Sequence, residues 1–251
     1  SMTQLRATPI SVYRKQLQGL LIAAMILLLL FEGLHWQGKG LDFWVSDALY
    51  QWGGHAFPGR GVFLWDVVNH KWSKKVSVAV PLLALLGLLA SLRYKPLIPY
   101  RRALWFVLLC GALVSGVISL LKTYTNMSCP KDLVEYGGNE WFVPLLSISP
   151  YVQNPGCWPT GHASGGFALM GVYWLFKDQQ PRRAKVLLIA AIAWGWWMAG
   201  GQILRGDHFV SHGFWTMWFA WLTIVVIHAG LFGRFVWAQR EQPEPQALRA
   251  S

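Results

Sequence analysis

The chain has 251 residues, of which 54% are hydrophobic and only 13% charged, about half the charged share of an ordinary soluble domain. A net charge of +11 would suit a nucleic-acid partner, but the cations are not gathered into one basic, aromatic-laced face, and that partner class is excluded. Composition points instead to a polytopic membrane protein.

Crossing a bilayer takes about 20 apolar residues, and six apolar runs are present, at 17–34, 76–92, 103–121, 162–176, 186–204 and 209–231. The fourth is short for a full span and needs help from its neighbours. The expected fold is all-α: one six-helix transmembrane bundle over 1–251, with outer-face loops at 36–75 and 123–160. Many of the sixteen Trp lie near the run ends, where interfacial aromatic belts form. Arg14 and Lys15 precede the first run, Arg93, Lys95, Arg101 and Arg102 fill the second connection, Lys177, Arg182, Arg183 and Lys185 fill the fourth, and Arg234 and Arg240 follow the sixth. On an alternating path these lie on one side, which the positive-inside rule makes cytoplasmic together with both termini. Lys39, Arg60, Lys71, Lys74 and Lys75 fall on the opposite side and weaken that asymmetry.

Residues 1–13 carry no structural signal. The first apolar run follows a basic segment as a signal peptide would, yet no small-residue cleavage site closes it, so it reads as a retained signal anchor. In 36–75, Phe43, Trp44, Leu49, Tyr50 and Trp52 alternate with Asp42, Ser46, Asp47 and Gln51, which fits either an amphipathic surface helix or a loop with aromatic anchors. Pro96 and Pro99 mark the next connection as a turn. In the third run Gly111, Ser115, Gly116 and Ser119 are small enough for close helix packing, and Lys122 ends it, either as a snorkelling anchor or facing a site.

The connection 123–160 is long enough to be functional. It holds Cys129 and Cys157, which in an oxidising compartment either pair, tying the Lys122 end of the loop to its far end, or stay free. It closes on Cys157-Trp158-Pro159-Thr160-Gly161-His162, a Pro/Gly loop opening an apolar helix. A histidine there lies beside unsatisfied backbone N–H groups and the positive end of the helix dipole, a setting that suits phosphate, although a plain polar cap reads the same way. The fifth run leads into Arg205-Gly206-Asp207-His208 and the sixth opens through Ser211-His212. If this segment is helical, Arg205, His208 and His212 share a face. Ionisable groups at the mouth of a bundle are expensive and are functional candidates by default.

Lys122 with Cys129-Pro130, then Pro159-Thr160-Gly161-His162, then Gly201-Gln202 with His208 and His212 resemble, in order, spacing and placement, the motifs KxxxxxxRP, PSGH and SRxxxxxHxxxD of the type 2 phosphatidic acid phosphatase superfamily. The likeness covers about residues 100–230. It implies a metal-independent, cofactor-free phosphatase of amphiphilic lipid phosphates or pyrophosphates, such as undecaprenyl pyrophosphate, phosphatidylglycerol phosphate, phosphatidic acid or lipid A phosphates, acting at the periplasmic face of a bacterial inner membrane. It further implies that His208 is the nucleophile, forming a phosphohistidine, that His212 orients it and that His162 is the general acid and base. Lys122, Thr160, Gly161, Arg205 and Gln202 would bind the substrate's phosphoryl group. Cys129 and Gln202 stand where the family has arginines, Gly201 where it has serine, and His212 where it has aspartate. Arg205, three residues after Gln202, is expected to restore one clamp. Phosphotransfer to a second lipid, a non-catalytic phosphate-binding or transport role, and a metal site on His162, His208 and His212 are the competing readings.

Overall fold

A computed structural model describes residues 7–33, 40–145 and 156–234. The regular structure of these residues is helical, and it contains no strand. Helix α1 (Ile10–Leu27) continues as a π-helical Leu28–Gly33, and α2 (Leu41–Trp52) follows. Helix α3 (Ser73–Ala90) is entered through a π-helical Leu64–Trp72, and α4 (Arg101–Tyr124) through a 3-10 segment at Lys95–Tyr100. Helices α5 (Gly161–Phe167) and α6 (Val172–Phe176) are joined by a 3-10 turn at Ala168–Gly171, and α7 (Pro181–Leu204) and α8 (Val210–Phe232) complete the bundle.

Five helical stretches are long and apolar enough to cross a bilayer: Ile10–Gly33, Leu64–Ala90, Lys95–Tyr124, Pro181–Leu204 and Val210–Phe232. Their outward faces carry exposed Leu21, Ile22, Met25, Leu83, Leu86 and Ile189, a surface that suits hydrocarbon. The expected fourth span is helical but short, its pieces holding seven, four and five residues. At 1.5 Å per residue that is about 24 Å against a hydrocarbon core of about 30 Å. It forms the centre of the bundle instead: Ala163, Phe167, Ala168, Met170 and Trp174 are buried, and α5 packs on α4, α7 and α8.

The second span begins well before its apolar run. Helix runs back from Ser73 through Leu64, so Asp66, Asn69, His70 and Lys71 belong to a helix and not to the outer loop expected at 36–75. The surface segment before it does form a helix, α2.

Close crossings depend on small residues. A side chain on Gly195 of α7 would run into the Phe167 ring at 2.3 Å, and one on Gly166 would meet the Met198 sulfur at 2.8 Å, so α5 and α7 touch nearly backbone to backbone. In α4 the buried Ala103, Phe106, Cys110, Val114 and Ile118 form one inward stripe at helical spacing. Of the small residues expected to serve packing there, Gly111 lies against Pro81 and Ser115 meets the Ser164 hydroxyl at 3.3 Å, while Gly116 faces open space.

One end of the bundle gathers the start of α1 and the ends of α6 and α8. The Tyr13 hydroxyl hydrogen-bonds His228 Nδ1 at 2.9 Å and its ring stacks on Trp174, and the Thr8 N–H bonds the Phe232 carbonyl at 2.9 Å. The candidate site lies at the opposite end.

Candidate active site

Helix α7 stops at Leu204 because the chain must turn. Gly206 sits at φ +71°, and a Cβ there would lie 2.2 Å from the Phe57 ring. Two loops hold the turn from outside, with the Gly59 N–H donating to the Leu204 carbonyl and the Lys131 N–H to the Gly206 carbonyl, each at 2.9 Å. Helix α8 then begins at Val210. Arg205, His208 and His212 therefore do not share one helical face, since Gly206 breaks the helix between the first two and His208 precedes α8. The two histidines still meet, with His208 Nδ1 3.1 Å from His212 Nδ1. Both are buried.

His208 opens onto a cleft of about 600 Å³ whose walls also include His70, Lys122, Gln202, Arg205, Asp207, Lys131 and Asp132. Lys122, in the last turn of α4, lies along the motif loop: a Cβ on Gly161 would sit 3.4 Å from its Nζ. It makes no ion pair with any described carboxylate. Cys129 and Cys157 are joined in a disulfide, which brings the loop after α4 onto the segment before α5. The Cys157 sulfur also touches the Asp207 carbonyl oxygen at 3.0 Å and His208 Nδ1 at 3.6 Å.

Thr160 and Gly161 stand at the start of α5. The Thr160 side chain is fully buried, its carbonyl accepting from Thr216 at 3.1 Å, and its own hydroxyl has no partner among the described residues. His162 does not line the cleft wall. Its Nε2 donates to the Asn69 carbonyl at 3.2 Å and its ring stacks on His70 with centroids 4.6 Å apart. Among the described residues its Nδ1 is buried without a partner, as is Nε2 of His212.

Arg205 is not a free clamp. Its Nε lies 2.8 Å from an Asp66 oxygen and its Nη1 3.2 Å from Asp207. Asp207 also pairs with Lys131 at 3.0 Å and with Arg60 at 3.8 Å, so one carboxylate gathers three cations at the cleft rim. The rim stays cationic with Lys122 added. Burial holds the His208 pKa well below the ordinary imidazole value, and the neighbouring His212, Lys122 and His162 push it the same way. The imidazole is therefore neutral near pH 7. A neutral imidazole keeps one nitrogen lone pair, the chemical feature a nucleophile needs.

Three residues at or beside the site escaped sequence reasoning. His70 and Asn69 come from the π-helical entry to α3, a distortion common at functional sites. The Asn69 amide donates to the Trp197 carbonyl at 2.6 Å and fills the space beside Gly201, where a Cβ would lie 2.0 Å from its oxygen. That explains a glycine where the resemblance leads one to expect serine. Asp42 of α2 accepts from the Ser211 N–H at 2.8 Å and from the Ser211 hydroxyl, capping α8 from another element. The polar, non-periodic pattern around His70 is a signal that could have marked a helix lining a wet cleft.

Cys157, His208 and His212 place one ligand atom each within 4.8 Å, the geometry of a metal site, but the disulfide leaves Cys157 without a thiolate. The family model described as the PAP2 superfamily matches residues 103–235. No curated protein and no solved structure matches the chain. The matched region holds Lys122, Thr160, Gly161, His162, Gln202, Arg205, His208 and His212, and leaves Asp42, Asn69 and His70 outside it.

Proposed function

The chain belongs to the PAP2 superfamily, and we propose that it is an integral membrane phosphatase that removes phosphate from an amphiphilic lipid phosphate or pyrophosphate through a phosphohistidine on His208. Membership supports phosphoester hydrolysis, and five span-length helices support a membrane setting. The observation that carries the mechanism is the pairing of a buried His208, engaged through Nδ1 by His212, with a cationic cleft that includes Lys122.

The reaction divides into two displacements. In the first, His208 Nε2 attacks phosphorus, a P–N bond forms, and the P–O bond to the lipid breaks as the leaving oxygen takes a proton from His162. In the second, water attacks the phosphohistidine, giving up a proton to His162, and orthophosphate leaves. His212 keeps the His208 proton on Nδ1. Lys122 and the backbone around Gly161 neutralise charge on the equatorial oxygens, and the Thr160 hydroxyl adds a donor. For His162 to serve both steps, its ring must exchange its bond to the Asn69 carbonyl for one to substrate.

The substrate class is a lipid carrying a terminal phosphate, with undecaprenyl pyrophosphate, phosphatidylglycerol phosphate, phosphatidic acid and lipid A phosphates as the candidates. The cell envelope of a bacterium is the proposed setting, with the cleft on the periplasmic side and the basic connections around Arg101 and Arg182 in the cytoplasm. The test is phosphate release from that lipid panel by purified protein in detergent containing EDTA. Release should survive chelation, disappear in His208→Ala and His162→Ala, and be accompanied by an acid-labile phosphoenzyme in the native protein. Turnover that needs added metal, or that both variants retain, would sink the scheme.

A further inference from the structure

The cleft contains one imidazole that the proposed mechanism does not use. His70 lies on its wall with Lys122 and His208, and its Nδ1 is 3.0 Å from Nε2 of the buried Gln202. An amide nitrogen can only donate, so Nδ1 of His70 accepts and the ring proton resides on Nε2. The ring is held on two sides and its backbone neighbour is tied down as well. Gln202 fixes one edge, His162 stacks on one face, and the neighbouring Asn69 ties the backbone to His162 and to the Trp197 carbonyl. So firmly placed a donor is preorganised, which is what stabilisation of a charged transition state requires.

Arg205, the one guanidinium lining the cleft among the described residues, already has ion-pair partners in Asp66 and Asp207. Of the cleft's remaining donors Lys131 is paired with Asp207. Lys122 and His70 are left to face an anion beside His208.

We propose that His70 is a further catalytic residue, whose Nε2–H binds a phosphoryl oxygen of the group transferred to His208, and that Gln202 is its positioning residue. This rests on the phosphatase reading given above. A phosphate dianion fits better than a diester, because two separate donors, the Lys122 ammonium and the His70 N–H, converge on the same cleft from α4 and from the entry to α3. Arg205 then serves to tie the end of α7 to the Leu64–Trp72 segment that carries His70.

Three variants in the full-length protein separate this role from a structural one. His70→Phe keeps a ring to stack on His162 but has no N–H; His70→Gln restores a donor near the position of Nε2; Gln202→Ala removes the group that fixes the tautomer. Hydrolysis of the best lipid phosphate and protection against thermal unfolding by orthovanadate are read for each. Loss of one preorganised donor lowers kcat by about 100-fold in comparable sites. His70→Phe should show a loss of that order in kcat and weaker vanadate protection at an unchanged ligand-free melting temperature, His70→Gln should recover part of both, and Gln202→Ala combined with His70→Phe should be no worse than His70→Phe alone. If the native protein hydrolyses lipid phosphate, depends on His208, and His70→Phe stays within threefold of it, the His70 role is overturned and the phosphatase reading stands. If the native protein binds vanadate without hydrolysing any lipid and His70→Phe loses that binding, the anion contact stands and the reading falls. No hydrolysis and no vanadate protection would overturn both.

Discussion

The proposed attack of His208 on phosphorus requires that one ring nitrogen carry a free lone pair, and its surroundings favour that state. Burial first, then the nearby His212, Lys122 and His162, hold its pKa well below the usual value near 6.5. A histidine so shifted stays neutral as pH drops past 6.5 and protonates only further down. The acid limb of kcat/KM, which reports groups on the free enzyme, should therefore fall well below pH 6.5. A limb centred at the ordinary imidazole value would show that another group titrates there. The sign for stability follows from the same shift: the unfolded chain binds this proton first, so stability contributed by the neutral ring is present above about pH 6.5 and is lost as pH falls toward the folded pKa. Charge at the rim divides by partner. Lys122 pairs with no described carboxylate, whereas Arg205 is held by Asp66 at 2.8 Å and Asp207 at 3.2 Å. Lys122→Ala should cost about 100-fold in kcat, as loss of a transition-state donor does, and Arg205→Ala less, because its guanidinium is already paired with two carboxylates. Steady-state kinetics of the two variants gives the ranking, and the opposite order would return the phosphate clamp to Arg205.

Helix α8 carries His212 and is capped by a residue of α2, 169 positions away in sequence. The Asp42 carboxyl is 1% exposed, and burial raises its pKa from 3.8 to about 6 despite the Ser211 bonds that favour its charge. With the pKa raised, the folded state binds the proton more tightly than the unfolded chain, so stability declines as pH rises from about 4 to about 6. A shift of that size corresponds to about 3 kcal/mol. Asp42→Asn keeps an acceptor for the Ser211 N–H and cannot ionise, so its unfolding temperature in detergent should gain on the native protein's as pH rises through that window; a constant gap from pH 4 to pH 7 would contradict it. Asp42→Ala, which leaves the N–H bare, should cost about 1 kcal/mol at low pH. Such long-range pairings are invisible to a reading based on periodicity. Helices α4, α7 and α8 were legible because their apolar runs are long and uninterrupted. The entry to α3 was not, because Asp66, Asn69, His70 and Lys71 look like loop residues to any hydropathy reading, although His70 lines a polar cleft, Asn69 bonds α7 and Asp66 pairs with Arg205 just after it. Motif spacing did point to Lys122, Gln202, Arg205 and His208, all now found on one cleft wall. The ion pairs of Arg205 and the stacking of His162 on His70 needed three-dimensional neighbours that no spacing encodes.

At the scale of the whole molecule the cleft is assembled at one end of the bundle from the end of α4, the entry to α3, the α7–α8 turn and two loops. The Cys129–Cys157 disulfide is the one covalent tie among these described parts, across a sequence separation of 28 residues. Closing a loop of that size stabilises by about 3–4 kcal/mol in the chain-entropy account. It also does something chemical. The Cys157 sulfur lies 3.6 Å from His208, and with His212 the three ligand atoms fall within 4.8 Å of one another. While the bridge is intact the sulfur is no thiolate, and two imidazoles alone make a poor zinc site. Once it is reduced, a thiolate and two neutral imidazoles are the donors that a tetrahedral zinc site uses, with a fourth position left open. Zinc held there would tie up the proposed nucleophile, His208. The oxidised protein should thus tolerate micromolar zinc, the reduced protein should be inhibited by it and recover on addition of EDTA, and a Cys157→Ser variant that retains activity should resist zinc in either redox state. Equal zinc sensitivity before and after reduction would show that the bridge does not guard His208 from metal, and a native protein whose unfolding temperature is unmoved by reduction would show that it does not hold the two loops together either.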